Sequence, residues 1–205
     1  MVTQPLRECL SDWAVAEGLD PEGVMATLTH HITGERNRLQ ALERGELTRA
    51  EIEPWIADLF ASHGPRPEPS GIFDRMFAPM RTLPEMLDLL RMSRARGLRT
   101  GLLSNSWGDS YDRRGWETAF DAVVISGEVG MRKPDPAIFE HVLGLLDLPA
   151  GDVVYVDDEP PNVMAARDFG LRAVHCDPAD PHRIERIVEA LGWDDDARPL
   201  SEWAE

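Results

Sequence analysis

From residue 98 onward, short apolar runs alternate with amphipathic helical segments, and this alternation limits the possible folds more than any other feature of the chain. Leu98 to Leu103 is a predicted strand that ends at Ser104. Asp121 to Ser126 is a second, Asp152 to Val156 a third and Leu171 to His175 a fourth. Helical spacing predicts helices over Asp135 to Leu146, Asn162 to Phe169 and Pro181 to Leu191. A further helix runs through Leu87, Leu90 and Met92, entered by Thr82-x-x-Glu85 as a capping box and stopped at Gly97. Wholly apolar strands alternating with helices make a parallel sheet covered on both faces. The predicted class is α/β with a Rossmann-like core.

The first third reads differently. Gln4 to Glu17 carries Leu6, Leu10, Trp13 and Ala14 near helical spacing, and Gly18 ends it. Pro21 opens a second helix with Val24, Met25, Leu28 and Ile32 inward. A third runs through Leu39, Leu42 and Leu47. A fourth starts at the capping box Thr48-x-x-Glu51 and carries Ile52, Trp55, Ile56, Leu59 and Phe60. His63 to Gly71, rich in proline and glycine, is the clearest linker or hinge. No strand is predicted before residue 98.

Composition narrows the function. The formal charge of −16 on 205 residues repels a phosphate backbone, which argues against nucleic-acid binding. Two cysteines, Cys9 and Cys176, cannot form a disulfide framework or a thiolate metal site. No apolar run reaches the ~18 residues of a membrane span, and MVTQPLRECL does not read as a secretory signal. These features predict a cytoplasmic protein with no membrane partner. Of the 21 basic residues only Lys133 is a lysine.

In parallel α/β sheets, ligands sit at the carboxyl ends of the strands. Three polar groups stand there. Asp157-Asp158 directly follows an apolar strand: either one aspartate caps the next helix and the other is solvated, or the pair holds a hard cation such as Mg²⁺. Ser104-Asn105 either makes a turn or offers a hydroxyl and backbone N–H groups to a phosphoryl group. Lys133, in MRKPDP, is either a surface lysine or an ammonium presented rigidly by Pro134 and Pro136.

Taken in order, GLLSNSWG, VVISGEVGMRKPDPAIFEHVL and VVYVDDEPPNVMAARDFGLRAV resemble the haloacid dehalogenase superfamily. Within it they look most like the helical-cap branch that includes the phosphatase domain of bifunctional epoxide hydrolases. The resemblance implies a helical cap over residues 4–80, a core over 81–192 and an acidic tail over 193–205. It implies Mg²⁺-dependent phosphomonoester hydrolysis through an aspartyl-phosphate, on a small phosphorylated metabolite. Ser104 and Asn105 would bind the phosphate, and Lys133 would offset its charge and orient the nucleophile. Asp158 would bind Mg²⁺, supported by Asp157. Trp13, Trp55 and Phe60 would form the cap core, or close over a substrate.

One part of the family pattern is absent. Its aspartate nucleophile follows a first, central strand, and no such segment is legible here. Asp12 and Asp20 sit in helical surroundings, and Met1-Val2-Thr3 falls where the nucleophile loop would be ending. Each unmade buried hydrogen bond costs on the order of 1–3 kcal/mol. The 205-residue chain is therefore expected to be impaired and nearly inactive, a shortened version of a longer enzyme. The alternative is a non-catalytic relative used for binding or regulation. Dehalogenation needs no metal and fits Asp157-Asp158 less well. A serine hydrolase lacks the first glycine of G-x-S-x-G, and a response-regulator receiver lacks its later lysine. Neither the substrate nor the oligomeric state is legible.

Overall fold

The computed structural model describes residues 6–33, 37–107, 113–177 and 180–193. Met1-Val2-Thr3, Gln4 and Pro5, Gly108 of the GLLSNSWG run, and the acidic tail from residue 194 lie outside the described residues. Among the described residues the order is six helices and then alternating strands and helices, as the sequence predicts except for the fifth helix, which is not read from it. The helices are α1 (Leu6–Ala16), α2 (Pro21–Thr33), α3 (Arg38–Glu43), α4 (Arg49–Phe60), α5 (Ile72–Phe77) and α6 (Pro84–Ala95). They lead into β1 (Gly101–Ser104), α7 (Trp116–Ala119), β2 (Ala122–Ile125), α8 (Ser126–Val129), α9 (Pro136–Leu146), β3 (Val154–Asp157), α10 (Pro160–Phe169), β4 (Arg172–His175) and α11 (Arg183–Ala190). Among the described residues no helix is long and apolar enough to cross a membrane.

The strands are parallel and fall into two pairs. β1 pairs with β2, Gly101 facing Ala122 and Ser104 facing Ile125. β3 pairs with β4, Val154 facing Arg172 and Asp157 facing His175. Among the described residues no ladder joins β1 to β3. A side chain joins them instead: Lys133 Nζ donates to the Leu103 carbonyl of β1 at 3.1 Å and pairs with Asp157 of β3 at 2.6 Å.

Three apolar clusters fill the interior. The first draws on α1 to α5, with Leu10, Leu28, Ile52, Ile56, Phe60 and Phe73 fully buried, and includes Trp107 from beyond β1. The second packs α9 and α10 on the strands through Val124, Ile138, Phe139 and Ala166. The third joins α6 to α11 through Met86, Leu89 and Ile187. Trp13 and Phe60 lie in the first cluster with ring centroids 5.5 Å apart, and Trp55 is half-buried against it.

Several boundaries move for local reasons. α3 stops at Glu43, short of Leu47, because the chain turns at Gly45, whose φ is +68°. The Thr48–Glu51 box forms, Glu51 Oε2 accepting the Thr48 N–H at 2.8 Å. The Thr82–Glu85 box does not: Pro84 occupies the first turn of α6 behind Leu83, and Glu85 pairs with Arg183 at 2.7 Å. α10 starts two residues early because Pro160 and Pro161 fill positions that need no N–H. In the His63–Gly71 segment the Ser70 carbonyl accepts from Arg75 at 2.7 Å, and Arg75 also pairs with Glu17.

Asp121 ties the amino-terminal ends of β1 and β2 together. Its carboxylate accepts from the Thr100 N–H and from Arg94 Nη1, each at 2.7 Å. The Thr100 hydrogen bond, opposed by slight burial and helped by Arg94, holds the Asp121 carboxyl below its ordinary range. Such a group stabilises the fold above its unfolded pKa of about 4, and the contribution is lost as pH falls through the lower folded value. Asp121→Asn is expected to cost about 1 kcal/mol in urea unfolding at pH 7, the low end for charge-assisted bonds because the carboxylate is a third exposed. The difference from the parent should shrink below about pH 4.

Candidate active site

The carboxyl ends of β1 and β3 bring the predicted residues to one place. Lys133 is 8% exposed and its ammonium donates to one oxygen of Asp157. That ammonium also reaches the carbonyl of Leu103, the residue before Ser104. It therefore sits between the Ser104 turn and the Asp157-Asp158 turn. Asn105 holds it there by a two-way clasp: Lys133 N–H donates to Asn105 Oδ1 at 2.8 Å, and Asn105 Nδ2 donates to the Lys133 carbonyl at 3.0 Å. The Ser106 N–H donates to Ser126 Oγ at 2.9 Å, fixing the same turn to the end of β2. Ser104 is half-buried at the strand end.

The two adjacent aspartates do different work. Asp157 is buried and both its oxygens are occupied. Oδ2 accepts from Lys133 Nζ and from the Tyr155 hydroxyl. Oδ1 accepts from the Glu159 N–H at 2.9 Å and from Asn162 Nδ2 at 3.2 Å. Burial pushes the Asp157 carboxyl up, but the Lys133 charge and these donors outweigh it and hold it below the ordinary range. Asp158 is half-buried and has no ion pair with another described residue. Burial first, then the charge of Asp157, pushes its carboxyl up, and Glu159 is raised by burial and then by the charges of Asp158 and Asp157. A cation beside Asp158 would relieve that crowding. Among the described residues no three histidine, cysteine, aspartate or glutamate side chains are grouped to hold a metal. A single carboxylate such as Asp158 suits a hard ion that fills its remaining positions with water and ligand oxygens, as Mg²⁺ does.

No aspartate stands opposite these groups in the place the family pattern gives the nucleophile, among the described residues. Asp12 lies within α1, and Asp20 accepts the Glu22 and Gly23 N–H groups at the start of α2.

A second ring of residues was not legible as part of the site. Glu43 ends α3 on the buried side and is 4% exposed. Its Oε2 accepts from Arg132 Nε at 2.6 Å and its Oε1 from Trp107 Nε1 at 3.0 Å. Arg49 Nε donates to the Trp107 carbonyl at 2.8 Å. Beside them Gly45 meets Gly127 so closely that a Cβ on Gly45 would lie 2.3 Å from the Gly127 carbonyl oxygen. A glutamate four residues after Leu39, on the apolar face of a short helix, was the available signal. Tyr155 and Asn162 were likewise missed.

A parallel α/β fold carrying a buried lysine–aspartate pair and a second carboxylate at its strand ends is a Rossmann-like core with a charged site. The match to a family model over residues 11–170 makes the assignment specific. The chain belongs to the haloacid dehalogenase-like hydrolases. It is 32% identical over 110 residues to bifunctional epoxide hydrolase 2 of Rattus norvegicus, covering 50% of this chain and 20% of that protein. It is 29% identical over 140 residues to the sesquiterpene phosphatase astK of Aspergillus oryzae, covering 63% of this chain and 70% of that one. Against a crystal structure of a Bacteroides thetaiotaomicron family enzyme, solved with magnesium and inorganic phosphate, the TM-score is 0.60 at 20% identity, covering 82% of this chain and 92% of that one. The chain spans a fifth or less of the length of some curated relatives it matches.

Proposed function

We propose that this core handles small phosphorylated metabolites as a Mg²⁺-dependent phosphomonoester hydrolase. The observation that carries the reading is the Lys133 ammonium, held between the Ser104 turn and the aspartate pair by Asn105 and Asp157. A phosphate there would meet the Ser104 hydroxyl, backbone N–H groups of the same turn and the fixed positive charge, which is how a transferring phosphoryl group is stabilised. Asp158 would hold Mg²⁺, which supplies charge neutralisation to the phosphate oxygens. Asp157 acts through Lys133, because four donors already occupy its oxygens. The sesquiterpene phosphatase likeness supports the phosphomonoester reading. Residues 4–80 would act as a cap, a role supported by an apolar cluster drawn mainly from α1 to α5. Cys9 and Cys176, buried and free, suit a reducing cytoplasm.

The hydrolysis implied by the family passes through an aspartyl-phosphate, and no described residue occupies the nucleophile's place. The 205-residue chain is accordingly proposed to bind phosphate better than it turns esters over. Inorganic phosphate titrated into the protein with Mg²⁺ in a calorimeter should bind, and Ser104→Ala should weaken that binding about tenfold, the loss of one charge-assisted hydrogen bond of ~1.5 kcal/mol. p-Nitrophenyl phosphate should be cleaved slowly if at all. Absence of phosphate binding would overturn the reading. Binding with no turnover, also in a form carrying a strand-borne aspartate, would leave the non-catalytic alternative standing.

A further inference from the structure

We infer that Glu43 is a positioning residue: from the helical layer it sets the place of both loops that form the phosphate site. It is contributed by α3, far from the strands in sequence, yet its two oxygens go to two different strand-end loops. One partner, Arg132, immediately precedes Lys133. The other, Trp107, follows Ser104-Asn105-Ser106. All three side chains are buried, with Glu43 4%, Arg132 8% and Trp107 7% exposed. The carboxylate therefore cannot exchange either partner for water without opening the seam.

The geometry makes the link stiff in both directions. The two loops are already clasped to one another, Asn105 to the Lys133 backbone and Ser106 to Ser126. Glu43 adds the contact that refers the clasped pair to the helices. Next to it the backbone approach of Gly45 to Gly127 leaves no room for a side chain that could adjust the fit. A shift of α3 relative to the strands must therefore move Arg132 or Trp107, and with them Lys133 or the Ser104 turn. The consequence for ligand binding rests on the phosphate reading above; the positioning itself does not.

Lys133 supplies its own probe, because it is the one lysine in the sequence. Protein labelled with ¹⁵N-lysine gives a single backbone amide signal, from the N–H that donates to Asn105 Oδ1. Three variants would be compared with the parent. Glu43→Gln keeps the shape and loses the charge. Glu43→Asp keeps the charge but is one methylene short of spanning both partners. Ile187→Ala, in the third apolar cluster, loses stability without touching the seam. With the proteins held well below their melting midpoints, the Lys133 amide should shift in Glu43→Gln and exchange its hydrogen at least tenfold faster. Glu43→Asp should lie between. Ile187→Ala should leave the shift in place and the exchange within about twofold. Unchanged shift and exchange in both Glu43 variants would overturn the inference. So would equal acceleration in Ile187→Ala, which would mark the effect as global stability. Inorganic phosphate with Mg²⁺ is then added to the parent and to Glu43→Gln, and binding to the variant should be about tenfold weaker. A parent signal that ignores phosphate would sink the proposed function while the exchange data still decide the role of Glu43.

Discussion

Lys133→Met is expected to lower the unfolding free energy by about 3–5 kcal/mol, because it leaves Asp157 as a buried charge without its counter-ion. Against a typical total of ~5–15 kcal/mol that is a large share. The pair is buried at both ends, with side-chain exposures of 9% and 5%, and its 2.6 Å contact is screened little by solvent. Asp157 also accepts from Tyr155, Glu159 and Asn162, which keeps the carboxylate in place after the ammonium is gone. Burial would then dominate and push its pKa upward, where the parent holds it low. A carboxyl with a depressed folded pKa stabilises above about pH 4 and ceases to as pH falls through the folded value, so the gap between parent and variant should close only in acid. Adding Asp157→Asn to Lys133→Met should recover part of the loss, since an amide oxygen still accepts from Glu159 and Asn162 and no charge is stranded. Urea unfolding of the two variants and the parent at neutral pH measures this. A loss under about 1 kcal/mol for the single variant would place the pair among the weak, solvated kind.

Gly45→Ala should be the most damaging single-methyl change in the helical layer, at about 2–5 kcal/mol. Two causes add. A φ of +68° costs a non-glycine residue about 1–2 kcal/mol. Crowding a Cβ to 2.3 Å from the backbone oxygen of Gly127 forces a shift of the kind that costs about 1–3 kcal/mol. Gly97→Ala separates them, since Gly97 has φ +79° and nothing within 4 Å of the added carbon. It should show the conformational cost alone. Thermal unfolding of both variants gives the comparison, and equal losses would mean that α3 and the Gly127 turn part easily.

The strands were legible because each is a short apolar run with a polar residue at its carboxyl end, and they lie within three residues of their predicted starts and two of their ends. α7 and α8, four residues each, were not, because one turn carries no period to read. The Thr82 box failed because the helix starts at Pro84, which puts Leu83 and not Thr82 at its N-cap. The site was legible only in part. Ser104, Asn105, Lys133 and the aspartate pair announce themselves by chemistry at strand ends. The split of labour between Asp157 and Asp158 does not, since two identical side chains differ only in what the folded chain aims at them. Glu43 lies 64 residues from Trp107 and 89 from Arg132, and no local pattern spans those distances.

The fold places its sole side-chain amine where a structural charge is required. Acylating reagents and lysine-directed cross-linkers therefore find their one lysine side chain buried, and the arginines do not react with them in its place. A covalent mark on Lys133 would record that its ammonium had left Asp157, since an amine reacts only through a free lone pair.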